Sequence, residues 1–353
     1  MRTRRSLIAA LAGLALLSGC QSPTPTAENS SASASASAGG EVVLLSHDSF
    51  DFPQELLDQF KKDTGITVTI QQVGDGGELA NKLVLTKDAP LGDAVYGLDN
   101  TVSYRLKGKE IIDDAGKMDS AQDLAYADEP GLVPIDHGQV CVNLDKKWFA
   151  DKGLTPPASF DDLTKPEYKD QLVAMNPTSS TPGMAFMLAT VHKYGEDGWL
   201  DYWKQLKANG VKITQGWSDA FSIEYSAGEG AGAYPMMVSY GSSPAYSVND
   251  EGTDTSTAAI LDTCYPQVEY AGVLKGAKNP EGAKKFIEFM LTAPVQEAIS
   301  DVTYMYPVTS DAKVPEKLEK FGPLSDKATQ VEADKIADHA DEWLRAWQAD
   351  VIG

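Results

Sequence analysis

Two strand-like runs with an amphipathic segment between them set the terms for the fold. Glu41 to Ser46, EVVLLS, is a continuous apolar run, and Ile66 to Gln71, ITVTIQ, alternates as a half-buried strand does. Between them, Leu56, Leu57 and Phe60 fall on one face of a segment that opens at Pro53 and stops at Gly65, which predicts a short helix. Strand, helix and strand at this spacing form a βαβ unit, whose crossover puts the two strands parallel in one sheet. Ligands of open parallel sheets bind where loops leave the carboxyl ends of the strands. The loops in that position are His47-Asp48-Ser49 and Gly74-Asp75-Gly76-Gly77.

The alternation continues with a predicted helix over Glu78 to Thr86 and a strand over Asp93 to Leu98 that runs into Asp99-Asn100, so the first lobe reads as doubly wound. Leu132 to Ile135 then leads through Asp136-His137-Gly138 into Val140 to Asn143, a strand long enough to pass from one lobe to another. Gln267 to Gly276 is a second run of this crossing type, and Tyr304 to Val308 a third. Amphipathic helices are predicted over Pro280 to Ser300 and, with Trp343, Leu344 and Trp347 at helical spacing, over Glu342 to Val351.

Two further stretches stand out. After the strand Val173 to Pro177, the loop Thr178 to Gly183 offers Thr181 as a helix N-cap and Pro182 at the first helical position, with the helix running from Met184 to Tyr194 ahead of Gly195. Ser179, Ser180 and Thr181 together with free helix N–H groups make an anion site by geometry and dipole; the same hydroxyls also serve as plain helix caps. From Gln215 to Tyr246, a helical segment and a short strand carry Trp217 and Tyr246 on Gly- and Ser-rich loops at their two ends. Aromatic rings so placed offer flat faces to a ligand, and half-buried packing is the competing role.

Arg2, Arg4 and Arg5 precede the apolar run Ser6 to Leu17, which ends in Leu17-Ser18-Gly19-Cys20. This pattern predicts a signal peptide over residues 1–20 with a lipobox, Cys20 being the lipidated residue of an extracytoplasmic protein held on the membrane by its lipid alone. Residues 21–40, rich in Ser, Ala and Pro, read as a flexible tether. The formal net charge of −21 excludes nucleic acid as an obvious partner and permits a cationic ligand. With Cys20 assigned to lipid, Cys141 and Cys264 remain, and an even pair in an exported chain argues for a disulfide.

An enzyme is hard to assemble from these residues. The sequence holds no G-x-S-x-G, H-E-x-x-H, C-x-x-C, P-loop or G-x-G-x-x-G motif, and His47, His137, His192 and His339 lie far apart. No catalytic residue, cofactor or resident metal is therefore assigned. A tethered two-lobed α/β chain with three crossings and facing ligand loops describes instead a substrate-binding protein of an uptake transporter.

The motifs His47-Asp48-Ser49-Phe50, Gly74-Asp75-Gly76, Gly97-Leu98-Asp99-Asn100, Ser180-Thr181-Pro182-Gly183, Gly216-Trp217-Ser218-Asp219-Ala220, Ser243-Pro244-Ala245-Tyr246, Gln267-Val268-Glu269 and Met305-Tyr306-Pro307-Val308 occur in order across most of residues 41–349. In this the chain resembles the thiamine-binding proteins of ABC transporters. The resemblance implies a type II periplasmic-binding-protein fold, doubly wound sheets joined by crossing hinge strands, with lobe 1 over 41–137 and 267–305 and lobe 2 over 138–266 and 306–353. It implies a monomer that closes over thiamine, thiamine monophosphate or thiamine diphosphate and delivers it to a permease. Trp217 and Tyr246 match the family's aromatic residues and Asp75 its acid, while the Ser179-Ser180-Thr181 loop lies at the phosphate end. Tyr304 stands where a Trp is common and His47 where a Tyr is common. The alternative within the same fold is a ferric-ion-binding protein, with Tyr304, Tyr306, Tyr246, His47 and Asp75 as ligands.

Overall fold

The computed structural model of the protein describes residues 39–114, 118, 130–328 and 330–353. Cys20 and nearly all of the tether lie outside the described residues. The chain begins with β1 (Gly40–Ser46), α1 (Gln54–Thr64) and β2 (Ile66–Gln72). Gly65 ends α1 in a left-handed conformation, φ 75°, from which its N–H reaches back to Lys61 O; glycine adopts that conformation without a Cβ penalty. β1 and β2 pair parallel from Gly40 and Ile66 to Ser46 and Gln72, completing the expected βαβ unit.

α2 (Gly76–Leu85) and β3 (Ala94–Asp99) extend the first lobe, followed by β4 (Ile112–Asp113) and β5 (Val133–Asp145). The second lobe adds α3 (Lys146–Lys152), β6 (Leu172–Met175), α4 (Thr181–Ala208), β7 (Lys212–Thr214), α5 (Trp217–Asp219) and β8 (Met236–Tyr240). β9 (Thr257–Leu274) returns to the first lobe, where α6 (Pro280–Met290) and α7 (Ala293–Thr303) pack, and β10 (Tyr306–Pro307) pairs with β5. α8 (Glu316–Phe321) and α9 (Ala333–Trp347) follow.

Among the described residues the strands form one continuous sheet, ordered β2-β1-β3-β9-β5-β8-β6-β7, with β10 added to β5 and β4 to β9. Continuity comes from β5 and β9, which run antiparallel through both lobes. The first half of β5 pairs with the end of β9, and its second half pairs with the start of β9 and with β8. Phe50, Phe60, Ile66, Tyr96, Phe286 and Ile299 bury one face of the first lobe. The opposite face of that lobe shares a core with the second through Leu79, Leu83, Met184, Phe186, Trp203 and Trp347.

Several elements differ from the sequence expectation, each for a local reason. The predicted helix over Pro280 to Ser300 is two helices, since the chain turns through Leu291 and Thr292 and restarts with Pro294 in the first turn of α7. The third crossing shrinks to Tyr306–Pro307, because Tyr304 caps α7 at φ 68° and cannot belong to a strand. The helical segment after Trp217 is one turn of α5 running into a wide turn over Ala220–Glu224, and the last helix starts nine residues earlier than its tryptophans suggest. β9 also extends back to Thr257, where Asp262, Thr263 and Pro266 conceal a strand.

The register between β5 and β9 slips between Val140 and Val142, and in this bulge Cys141 and Cys264 are bonded, their Cα atoms 4.2 Å apart. The bond spans 123 residues of sequence, and a loop of that length is worth about 4 to 5 kcal/mol in the chain-entropy treatment. Reduction of the exported protein should therefore lower its thermal midpoint by several degrees. Two thiols free to react in denaturant without reductant would contradict the bridge.

Candidate functional site

The site is built around Asp75. Its carboxylate caps α2 through Gly76 N–H, at 2.6 Å, and also accepts from Thr181 N–H and Trp217 N–H, each at 3.0 Å. One buried side chain thus holds the start of α2 in the first lobe to the starts of α4 and α5 in the second. Burial raises the Asp75 pKa, while the Trp217 and Thr181 N–H bonds and the Ser180 hydroxyl pull it down.

The contact demands glycine at two positions. A Cβ on Gly76 would stand 2.5 Å from Thr181 Cγ2, and one on Gly77 would stand 2.6 Å from the Ser179 carbonyl. The approach allows Glu78 N–H to donate to Ser179 O at 3.0 Å. Arg105 backs it from behind, donating to Gly77 O at 3.1 Å and Thr178 O at 3.2 Å.

The cap of α4 is Ser180, not Thr181: the Ser180 hydroxyl accepts from Gly183 N–H, and Thr181 is the first helical residue, its N–H free to meet Asp75. Ser179 donates to Gln215 O at 2.6 Å. The three hydroxyls expected to converge on a ligand anion are thus engaged within the protein, and the anion at this helix start is the Asp75 carboxylate.

Trp217 is half-buried, its indole stacked on Phe221 with ring centroids 4.8 Å apart and planes within 9°. Its indole N–H donates to Ser239 Oγ at 2.9 Å, and Ser239 meets Ser243 at 3.2 Å. Ser243 opens the turn that ends in Tyr246, so the two aromatic loops are joined by this hydrogen-bond chain. Tyr246 packs directly on Tyr304, donates its hydroxyl proton to Ser300 O and Asp301 O, and carries Lys317 Nζ 4.8 Å from its ring centre.

His47 lies at the end of β1, its Nδ1 3.0 Å from Ser49 Oγ and its Nε2 3.8 Å from Glu269 Oε1. Burial lowers its pKa against the pull of Asp75 and Asp48. Tyr306 turns its hydroxyl to Leu318 O and Gly322 O, and among the described residues no group of three or more His, Cys, Asp or Glu side chains is placed to hold a metal ion.

What sequence reasoning missed is a row of carboxylates. Asp99 on β3 and Asp136 on β5 lie opposite Glu269 on the strand between them, β9. All are buried, and Tyr96 donates to Glu269 Oε2 at 2.9 Å and to Asp136 Oδ2 at 2.5 Å. Burial pushes Asp99 and Glu269 up to about 7. Asp136 is held well above the usual carboxylate range by burial and then by the charge of Glu269. Asp99 and Glu269 stood in quoted motifs, but only the strand register brings them together with Asp136.

This is the fold and cleft of a periplasmic-type solute-binding protein. The family profile described as bacterial extracellular solute-binding protein matches residues 99–327, and the chain belongs to that family. It is 30% identical over 298 residues to the thiamine-binding periplasmic protein of Salmonella typhimurium, covering 82% of this chain and 85% of the relative. A solved periplasmic thiamin binding protein superposes with a TM-score of 0.78 at 26% identity, covering 88% of this chain and 96% of that one. The ferric binding protein from Campylobacter jejuni shares the fold, with a TM-score of 0.69 at 18% identity over 88% of this chain and 99% of its own.

The carboxylate row has a consequence for stability. A carboxyl that holds its proton more tightly folded than unfolded favours folding while protonated, and that contribution is lost as pH rises through about 7. His47 acts in the opposite sense, but only below its ordinary value of 6.5. The ligand-free protein should lose on the order of 1 kcal/mol per row carboxylate between about pH 6 and about pH 8. Thermal unfolding across that range checks it, and Asp99→Asn should flatten the dependence. A midpoint that rises with pH would contradict it.

Proposed function

We propose that the protein captures thiamine or its phosphate esters between its lobes and delivers it to an ABC permease. The observation that carries this reading is the buried Asp75 carboxylate, which accepts from the N–H of Trp217, with the further buried acids Asp99, Asp136 and Glu269 in a row along β3, β9 and β5. Among the described residues the ion pair made by the row is with His47, whose burial disfavours its charge. A site with that balance is completed by a ligand carrying positive charge on a flat ring. Thiamine is a permanent thiazolium cation joined to an aminopyrimidine, and the relatives named for binding it support the choice.

In this reading Trp217, Tyr246 and Tyr304 supply ring faces, and a cation over such a face gains about 0.5 to 2 kcal/mol. Asp75 contributes negative charge while it ties the lobes together, and His47 lines the wall beside Glu269. The family resemblance puts a phosphate ester at Ser179, Ser180 and Thr181, where it would have to displace the Asp75 carboxylate from the Thr181 N–H. The lobes are taken as 41–137 with 267–305 and 138–266 with 306–353. The protein is a monomer tethered through lipid on Cys20; among the described residues no helix is long and apolar enough to cross a membrane.

Trp217→Ala tests the assignment. Loss of an anchoring ring costs about 2 kcal/mol or more, near thirtyfold in affinity, so calorimetry on the folded variant should show that loss for thiamine, with the ligand-free thermal midpoint lowered as the Phe221 stack and the Ser239 hydrogen bond go. Unaltered affinity would remove Trp217 from the site.

A further inference from the structure

Arg105 lies on the short helical turn Ser103–Leu106 that follows β3, and it is buried, the residue being 8% exposed. Arginine is seldom buried unless paired, yet the acceptors that its guanidinium meets are neutral. Nη1 lies 3.1 Å from Gly77 O, 3.2 Å from Thr178 O and 3.3 Å from Asn81 Oδ1, while Nη2 lies 3.5 Å from Pro177 O and Nε 3.4 Å from the Tyr104 hydroxyl. A carboxylate would neutralise the charge. Carbonyls gain something else from a guanidinium, a fixed position for the chain that carries them.

These carbonyls belong to two segments far apart in sequence. Gly77 follows Asp75 in the first turn of α2, and Pro177 and Thr178 lead into Ser179 and the start of α4. The same two segments meet again through Glu78 N–H to Ser179 O and through Asp75 to Thr181 N–H, each at 3.0 Å. They are thus tied twice, once by Arg105 and once by Asp75, which also holds the Trp217 N–H. An ammonium is a single point of attachment, whereas a guanidinium is a planar fork that reaches several acceptors at once. Beside the guanidinium is a cavity of about 390 Å³, lined by Asn81, Tyr104, Thr178 and, on α9, Asp341 and Leu344.

We propose that Arg105 is a positioning residue for ligand capture: by holding the carbonyls of Gly77, Pro177 and Thr178 together, it keeps Asp75 and Trp217 in place and sets how long a ligand stays between the lobes. This assignment rests on the thiamine reading and adds to it a residue that governs release without touching the ligand. When the fork is lost, the buried carbonyls lose their donor and α2 can part from the Thr178 loop. The effect falls on dissociation more than on association, as it does for most changes at one interface.

Thiamine release from the loaded protein, followed by stopped-flow tryptophan fluorescence, is the test. Arg105→Ala should release thiamine about tenfold faster or more, with association little changed. Arg105→Lys keeps the charge but not the fork, and should do nearly the same. Guanidinium ion at millimolar concentration can enter beside Asn81 and Thr178 in Arg105→Ala and should slow release again, whereas ammonium should not. Thermal unfolding reports whether each variant folds, and either folded variant decides on the release rate. Release unchanged in a folded variant, or fast release from Arg105→Ala that guanidinium fails to slow, would overturn the role of Arg105 alone. Wild-type protein that does not bind thiamine would overturn the thiamine reading and this role with it.

Discussion

The meeting of the two lobes depends on one carboxylate. Asp75 satisfies N–H groups at the starts of α2, α4 and α5, where helix geometry leaves donors without internal partners. An anion is also favoured at the starts of α2 and α4 by the helix dipole. The bonds form only because Gly76 and Gly77 let α2 approach the Ser179 carbonyl and Thr181 closely. Substituting either glycine would push the segments apart before any polar contact could form.

Much of this framework could be read from residue pattern. Apolar periodicity placed β1, α1 and β2, and Pro182 with Gly195 bracketed the first part of α4, which does break at Gly195. The loops carrying His47, Asp75 and Trp217 follow from that alternation. The crossing strands were harder. β9 hides half its length behind Asp262, Thr263 and Pro266, and β5 passes through Asp136, His137 and Gly138, residues that look like a turn. Asp136, Gly138 and Thr263 are buried and Asp262, Pro266 and His137 half-buried because neighbouring strands pair with them, an effect of tertiary pairing that no local window contains.

The carboxylate row was illegible for a related reason. Asp99, Asp136 and Glu269 are far apart in sequence, and each alone resembles a solvated strand end. Register decides their neighbours, and a shift of one residue would turn a side chain to the other face. The bulge at Gly97, where the pairing of β3 with β9 slips, keeps Tyr96 and Asp99 on the side of Glu269. The structure thereby concentrates acidic groups where the lobes meet, and a cation, which favours their ionised form, is the natural complement.

A titration of the ligand-stripped protein tests that claim most directly. Thiamine and ferric ion would be added separately, with binding followed by tryptophan fluorescence and visible absorbance. Saturable quenching by thiamine, and no coloured complex with iron, is the predicted result. A visible charge-transfer band with iron and no response to thiamine would contradict the account.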